Sequence, residues 1–291
     1  MTSSSVPEIQ VPANARFQAQ TTPINCPAVP VFTPPTATDA CDATVTITFT
    51  DATTQGSCAG TYSVTRTWTA TDDCGNTATC SGTIVVRDVT PPTITCVAQT
   101  SPISCPAVPV FTPPTATDAC DVSLTITFAD VTTPGSCPAN YSVTRTWTAT
   151  DDCGNTSTCS GTVVVQDIIP PFIMCPPGVT VSCASEVPPV LTGGVTVSDN
   201  CSTITVTHDG DVITNQTCVN RFTLTRTYRS TDSCGNSATC SQIILVNDQT
   251  PPTIACPAPV AVSCASQVPA VNTGSVTASD NCAGGVTVTH V

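Results

Sequence analysis

The sequence contains no lysine and little charge or histidine, which excludes several classes of protein. Only seven of the 291 residues are basic, all of them arginine, and the net charge is −13. A field of this sign repels nucleic acid and attracts cations, so nucleic acid is not expected as a partner. The only histidines are His208 and His290, in the diverged second half of the chain. A recurring Ser-His-Asp or Cys-His arrangement is therefore excluded, and we do not expect an enzyme.

Long apolar runs and helical periodicity are absent as well. No run of about 18 apolar residues occurs, so the sequence predicts no membrane span. Residues 1–25 have neither a basic n-region nor an apolar h-region, and therefore do not resemble a signal peptide. Several segments instead alternate apolar and polar residues, as in TVTITFT at 44–50. The sequence predicts an all-β protein.

Cysteine, proline and threonine are abundant. The chain has 20 Cys and 27 Pro, and its cysteines lack the close C-x2-C spacing of zinc ribbons. So many cysteines with so little histidine indicate disulfides and an oxidising compartment. The predicted location is extracellular or at the cell surface.

The cysteines belong to an internal repeat. Residues 26–42 recur unchanged at 105–121, and residues 62–77 recur unchanged at 141–156. A diverged third copy follows, and a fourth, incomplete copy begins at Pro251. We therefore place three modules at 7–88, 91–167 and 171–248 and an incomplete fourth module at 251–291.

Each module has the pattern of a small β-sandwich. The runs YSVTRTWTAT at 62–71 and GTIVVRD at 82–88 alternate β-branched or aromatic residues with polar ones, as half-buried strands do. Arg66 and Trp68 fall on one face of such a strand, which predicts a stacking contact. Short strands separated by Pro, Gly and Asp clusters predict a seven-strand sandwich with a small core that needs disulfides.

The end of each module and the start of the next share one pattern, D-x-C-G-N-x-x-x-C-x-x-x-V-x-V-x-D-x-x-P-P-x-I-x-C-P. Its clearest copy runs from Thr150 to Cys175 and includes a Pro-Pro break. The pattern resembles the hyalin repeat (HYR), an Ig-like module of extracellular and bacterial surface proteins. The six-cysteine form with RTWTATD resembles the tandem repeats of very large secreted bacterial proteins. The resemblance implies tandem Ig-like β-sandwich modules in a linear array, used as spacers, adhesive units or polymer subunits.

The Ig-like path that this resemblance implies predicts disulfides within modules. The expected pairs are Cys96 with Cys159, Cys105 with Cys137, Cys120 with Cys153, Cys175 with Cys240, Cys183 with Cys218, Cys201 with Cys234, Cys26 with Cys58, and Cys41 with Cys74. This scheme leaves Cys80 alone, because Phe17 occupies the position of its partner, and it leaves Cys256, Cys264 and Cys282 unpaired. A rival scheme pairs neighbours along the chain, such as Cys26 with Cys41 and Cys80 with Cys96, and uses every cysteine. Both schemes stay open at this point.

The same path directs acidic loops toward the joints, by which we mean the Pro-Pro breaks between modules and the loops beside them. Calcium takes about six to eight oxygen ligands, and no lysine is available to neutralise converging carboxylates. The alternative is that Asp and Asn simply suit turns. The candidate calcium ligands are Asp88, Asp118, Asp121, Asp151, Asp152 and Asn155 at the first joint, Asp167, Asp199, Asn200, Asp232 and Asn236 at the second, and Asp248, Asp280 and Asn281 at the third.

The leading functional prediction is a structural extracellular protein. Its array of modules is stiffened by calcium, stapled by disulfides, and forms a filament, fibre or cell-surface stalk. The expected partner is the protein itself, joined head to tail or by strand complementation through the incomplete fourth module. The alternative is a cell-surface adhesin that binds glycans or partner proteins.

Overall fold

The computed structural model describes residues 23–39, 44–282 and 285–290. Within these ranges the chain is built from strands, apart from four short 3-10 helices at Ala184–Glu186, Thr192–Gly194, Ala265–Gln267 and Thr273–Ser275. None of the helices in this part of the chain is long and apolar enough to cross a membrane. Phe17 and Cys41 lie outside the described residues, and with Cys41 the predicted pair Cys41–Cys74 does as well. The fold is all-β and disulfide-rich, with tandem sheets, as the sequence predicts.

The strands repeat from module to module. Module 1 contains β1 (Ile24–Asn25), β2 (Thr46–Gln55), β3 (Tyr62–Thr71) and β4 (Thr77–Arg87). Module 2 contains β5 (Thr93–Thr95), β6 (Ile103–Ser104), β7 (Thr115–Thr117), β8 (Thr125–Pro134), β9 (Tyr141–Thr150) and β10 (Thr156–Gln166). Module 3 contains β11 (Phe172–Met174), β12 (Val179–Val181), β13 (Thr196–Ser198), β14 (Ile204–Cys218), β15 (Arg221–Asp232) and β16 (Ser237–Asn247). Module 4 contains β17 (Thr253–Ala255) and β18 (Thr277–Ser279).

Each complete module has one large and one small sheet. The four-stranded sheets have the orders β1-β4-β3-β2, β6-β10-β9-β8 and β12-β16-β15-β14, and the two-stranded sheets are β5-β7, β11-β13 and β17-β18. The short strands β1, β6 and β12 pair in parallel with the last long strand of their modules. The hairpins are antiparallel and in register over long stretches, as from Tyr62↔Val86 to Thr71↔Thr77.

Modules 2 and 3 therefore contain six strands and not the predicted seven. The reason is the tight turn that joins the two longest strands. In module 2 the Gly135 N–H donates to the Asn140 carbonyl oxygen at 2.7 Å, so β8 turns directly into β9. In module 1 the Gly56 N–H donates to the Thr61 carbonyl oxygen at 2.9 Å. No residues remain for a further strand between them.

The core lies on one face of each large sheet. Along β4 buried and exposed residues alternate, and Ile84 and Val86 are fully buried. In module 3, Phe222, Leu224 and Ile244 form a buried cluster with Val246. Because the strand period is two, the β-branched residues of these sequences all turn to one side.

Arg66 makes the stacking contact that its spacing from Trp68 predicts, although with other rings. Its guanidinium lies 3.8 Å from the centroid of Phe49 and 4.7 Å from that of Phe32, and it binds both carboxylate oxygens of Asp51 at 2.8 and 2.7 Å. Trp68 itself packs edge-on against Phe32 at 5.8 Å. The same cluster recurs around Arg145 in module 2. The arginine therefore fixes the edge strand β2, whose residues are exposed along its whole length.

Two compact units are present among the described residues. The first includes residues up to 101 together with 110–133 and 143–163, and it contains the first joint. The second comprises 102–109, 134–142 and residues from 164 onward, and it contains the second and third joints. Each joint can therefore be described inside its own unit.

Candidate functional site

One disulfide in each of modules 2 and 3 ties the first strand to the last. Cys96 bonds Cys159 and Cys175 bonds Cys240. These are the two pairs of the first predicted scheme that the structure contains. They close each small sandwich in the way expected of an Ig-like path.

The other disulfides cross the joints and link each module to the next. At the first joint Cys26 bonds Cys120 and Cys58 bonds Cys153. The second joint repeats both bonds, and the third contains one described bond of the same kind. These pairs are Cys105–Cys201, Cys137–Cys234 and Cys183–Cys282. Each of the first two joints thus has two covalent links besides the main chain.

The remaining pairs of the first predicted scheme are wrong. The structure does not contain the bonds Cys26–Cys58, Cys105–Cys137, Cys120–Cys153, Cys183–Cys218 or Cys201–Cys234, because each of these cysteines except Cys218 is bonded across a joint. The rival scheme is wrong too, since Cys96 bonds Cys159 and not Cys80. The prediction placed the two sets of loop cysteines at opposite ends of a module, but it did not consider pairing between the facing ends of two modules.

Polar contacts at the first joint hold the same surfaces together. The Ala59 N–H donates to both carboxylate oxygens of Asp152, at 3.0 and 2.9 Å. Gly60 has a φ of +71°, and a Cβ at this position would lie 2.8 Å from the Cβ of Cys120 and 3.0 Å from the Sγ of Cys26. The turn of module 1 therefore needs a glycine here, both for its conformation and for its close approach to the disulfide.

The predicted acidic residues do converge at the first joint. Oxygen atoms of Asp88 and Asp118 and the sulfur of Cys120 lie within 4.8 Å of one another. The Asp118 Oδ1 accepts the N–H groups of Cys120 and Asp121 at 2.7 and 3.1 Å. The Asp121 carboxylate accepts the N–H groups of Ser123 and Asp152 at 2.7 and 2.8 Å. These bonds hold the carboxylates of one loop close to the end of the preceding module.

Asp88 is the least satisfied member of this cluster. Its side chain is 6% exposed, its Oδ1 accepts the Thr90 N–H at 3.1 Å, and its Oδ2 is buried without a hydrogen-bond partner. Burial raises the pKa of Asp88; the Thr90 hydrogen bond opposes this shift, and the neighbouring charges of Asp118, Asp151 and Asp121 add to it. The site therefore disfavours a bare carboxylate and favours a bound cation or proton.

The second joint repeats the cluster with other residues. Oxygen atoms of Asp167, Asp199 and Asp232 lie within 4.8 Å of one another. Asp167 and Asp232 are 4% and 5% exposed, and the Asp199 Oδ2 is buried without a hydrogen-bond partner. Asp167 also accepts a hydrogen bond from the Ser202 hydroxyl. Burial by itself would raise the pKa of Asp232, but hydrogen bonds from Asn236, Cys234 and Gly235 together hold it below its usual value.

The third joint has a smaller cluster. One oxygen each of Asp248 and Asp280 lies within 4.8 Å of the other and of the Cys282 sulfur. Asp248 accepts the Thr250 N–H at 3.1 Å, and Asp280 accepts the Cys282 N–H at 2.9 Å. Both side chains are half-buried.

Several predicted ligands serve the loops instead of the clusters. Asp152 is used by the Ala59 N–H, and the Asn200 amide donates to the Cys105 carbonyl at 2.8 Å. The Asn281 amide lies against the sulfurs of Cys183 and Cys282. Asn155 and Asn236 donate to Asp151 and Asp232, at 2.8 Å in each case. These amides fix the carboxylates, as in the turn alternative, and the two explanations therefore apply to different residues.

The donor set of the first two joints fits calcium. Each has three or more carboxylates close together, and each has a buried carboxylate oxygen without a hydrogen-bond partner. Carboxylates and backbone carbonyls are the ligands that calcium prefers, and the Asp88 and Asp167 carbonyls also lie at these sites, where they accept from Asn155 and Asn236. The ion pairs of the described residues all involve other carboxylates, those of Asp51, Asp130, Asp209 and Asp211.

Sequence reasoning missed the bonds across the joints. The signal that was present is the spacing of the cysteines: the five linking pairs are separated by 94 to 99 residues, just over one repeat. A second signal was the position of the cysteines left over by the first scheme, which all fall in the first and last modules. Both facts indicate pairing between consecutive modules.

Comparison with known proteins assigns the repeats to a family. The model of the HYR-like domain with 4 cysteines matches residues 15–86, 89–165 and 173–246. Hyalin from the sea urchin Strongylocentrotus purpuratus is 31% identical over 243 residues, which cover 77% of this chain and 20% of hyalin. The chain thus spans about a fifth of the length of this curated relative.

Solved structures of cadherins show a weaker likeness. Domains 3–6 of protocadherin gamma B7 are 14% identical with a TM-score of 0.30, covering 73% of this chain and 69% of that one. Domains 1–4 of Drosophila N-cadherin are 13% identical with a TM-score of 0.29, covering 77% of this chain and 70% of that one. At such TM-scores the likeness carries no argument about this chain.

These findings fix the family and the compartment but not the source. The resemblance to bacterial surface proteins finds no support, because the matched relative is a sea-urchin protein. Disulfide-rich repeats of this kind are extracellular. Since the family model matches three consecutive stretches that make up most of its length, the chain belongs to the family of HYR-like domains with 4 cysteines.

Proposed function

We propose that this protein is a structural element of the extracellular space, a filament or stalk in which disulfides and calcium stiffen the joints between modules. The observation that carries the proposal is the pair of disulfides across each of the first two joints. Disulfides that only stabilised single modules would lie inside them, as Cys96–Cys159 does. Links between consecutive modules restrict bending and twisting at the joint.

The positions of the two links support a strut more than a hinge. One link begins beside the short strand β1, at Cys26, and the other begins in the turn between β2 and β3, at Cys58. They reach different loops of the next module, at Cys120 and Cys153. Two separate attachment points and the main chain define three connections, and a body held at three separate points has no free axis of rotation.

Calcium is the second part of the proposal. The Asp88 and Asp199 Oδ2 atoms lie buried among other carboxylates without a hydrogen-bond partner. Asp88, Asp118 and Asp121 would hold the ion at the first joint, and Asp167, Asp199 and Asp232 at the second. A divalent cation would neutralise the repulsion among these groups and bind residues of two modules at once.

Calcium titration of the full, oxidised chain tests this part of the proposal. We expect added calcium to raise the thermal midpoint and a chelator to lower it. The substitutions Asp88→Asn and Asp199→Asn together should remove this response. Asp209→Asn is the matched control, because Asp209 forms an ion pair with Arg229 on β14 and takes no part in the acidic clusters. A midpoint that ignores calcium, or that responds equally in the double variant, would show that calcium does not act at the joints.

Small-angle scattering tests the stiffness. Under non-reducing conditions the maximum dimension should stay constant, and reduction should broaden the distribution of distances as the joints begin to bend. A reduced protein with an unchanged distribution would contradict the role of the disulfides. Long assemblies in electron micrographs would favour the filament, whereas binding to glycan arrays would favour the adhesin alternative.

A further inference from the structure

We infer that module 1 is a docking site for strand β17 of a second copy of this chain, and that a disulfide between Cys80 and the second copy's Cys256 seals the contact. The inference rests on the proposed filament function and names the contact by which copies would join. Three independent observations support it: an unpaired cysteine, an apolar groove beside it, and an exposed strand of matching sequence.

Cys80 lacks the bond that its equivalents form. In modules 2 and 3 the equivalent residues of the last strand, Cys159 and Cys240, bond Cys96 and Cys175 at the end of the first strand. Cys80 occupies this position on β4, is half-buried, and forms no disulfide. The residue at the matching distance before Cys80 is Phe17, so module 1 has no cysteine there.

An apolar groove lies beside Cys80. Pro35, Ala37, Ile47, Trp68 and Cys80 line it together with small residues of β3 and β4. The segment 36–38 on its rim has the sequence TAT and the exposure pattern of β7, which pairs with β5 in module 2. In module 1, as far as the chain is described, segment 36–38 belongs to no strand pair. The groove and its rim thus match the place that the first strand occupies in module 2.

Strand β17 has the sequence of such a first strand. The run TIAC at 253–256 matches TITC at 93–96, and the second residue is isoleucine in both. Ile94 is half-buried in its module, but Ile254 is 62% exposed, and all three residues of β17 are exposed. Cys256 is exposed and forms no disulfide.

The two features are complementary. Strand β17 pairs with β18 along one edge only, so its other edge can add to segment 36–38 of another copy, as β5 adds to β7. In this arrangement Ile254 enters the groove between Ile47 and Trp68. Cys256 then follows at the end of the strand, beside Cys80, in the relation that Cys96 has to Cys159.

The bond itself requires an oxidant. The two thiols lose two protons and two electrons, and a low-molecular-weight disulfide takes them up and is reduced to two thiols. Exchange proceeds through a mixed disulfide on the exposed Cys256, which the Cys80 thiolate then attacks. Docking of β17 precedes the second step and determines which thiol reacts.

The test uses the full chain, prepared in natural-abundance and nitrogen-15 forms, mixed, and incubated with oxidised glutathione. Non-reducing electrophoresis and mass spectrometry of proteolytic fragments should reveal a Cys80–Cys256 link with mixed isotopes. Cys80→Ser and Cys256→Ser should each abolish this link and the ladder of linked copies. Cys264→Ser, which removes another exposed and unpaired cysteine of module 4, should leave both unchanged.

A second pair of variants tests the docking without touching a cysteine. Ile254→Asp should slow the linking at least tenfold, whereas Val260→Asp, at a site 69% exposed in the same module, should not. Equal rates for the two variants, thiols that stay reduced, or a link found only between fragments of one isotope would overturn the inference. The calcium response and the scattering curve of the unlinked protein are read separately. They therefore show whether the joints or only the contact between copies has been misjudged.

Discussion

Removing the link between Cys58 and Cys153 tests how much one bond across a joint stabilises the protein. In the Cys58→Ser/Cys153→Ser variant the first joint keeps only Cys26–Cys120. The two positions are 95 residues apart in sequence, but Cys96–Cys159 still shortens the covalent path between them. That path is roughly 45 residues long, and chain entropy then gives a loss of ~4 kcal/mol in the free energy of unfolding.

The assay is guanidinium unfolding under non-reducing conditions, followed by tryptophan fluorescence. The two tryptophans, Trp68 and Trp147, are both 3% exposed and both lie in the unit that contains this joint. Cys218→Ser is the matched control, because Cys218 lies in the corresponding turn of module 3 but forms no disulfide. We expect this control to change the free energy by less than about 0.5 kcal/mol. A loss below about 1 kcal/mol in the double variant would refute the reasoning, because the bond would then not constrain the unfolded chain.

Two further predictions concern single side chains. Gly60→Ala should destabilise the first joint by about 1–3 kcal/mol and slow formation of Cys26–Cys120, whereas Gly75→Ala, with a φ of +88° and open space around it, should cost only its backbone strain; equal losses in denaturant unfolding would contradict the close approach at Gly60. Arg226→Lys should lower stability by about 1–2 kcal/mol by calorimetry, because lysine cannot make the paired bonds to Asp211 and the bond to the Pro188 carbonyl, while the exposed Arg229→Lys should be nearly neutral. Arg226 first, and then His208, lowers the pKa of Asp211, so this stabilisation is complete above the usual Asp value of 3.8 and is lost as the pH falls through the lower folded value; a stability curve in acid that is the same in Arg226→Lys would count against it.

Much of the fold follows from local pattern. The alternation in β3 and β4 and the turn residues between them need no long-range information, because strand period and turn chemistry are properties of neighbouring residues. The convergence of Asp88 with Asp118 was also predicted, since loops at one end of a module must meet the end of the preceding one. The missing seventh strand was not predicted, because nothing in the local pattern shows that the turn at Gly135 connects the two long strands directly.

The bonds across the joints depend on distances between modules, which sequence periodicity does not contain. Cys105 and Cys137 have the same environment in the sequence whether they bond one another or the next module. Only the docking of consecutive modules brings Cys201 and Cys234 within reach of them. Likewise, the roles of Asp152 and Asn200 depend on which backbone group each of them faces.

The measurement that tests the account most directly is native mass spectrometry of the full, oxidised chain in calcium, which counts bound ions. We predict that ions bind at the first two joints and that Asp88→Asn removes one of them while every disulfide stays intact. Asp199→Asn should remove another, and Asp209→Asn none. A chain that binds no calcium, or that binds the same number of ions in all three variants, would contradict the claim that the acidic joints are calcium sites.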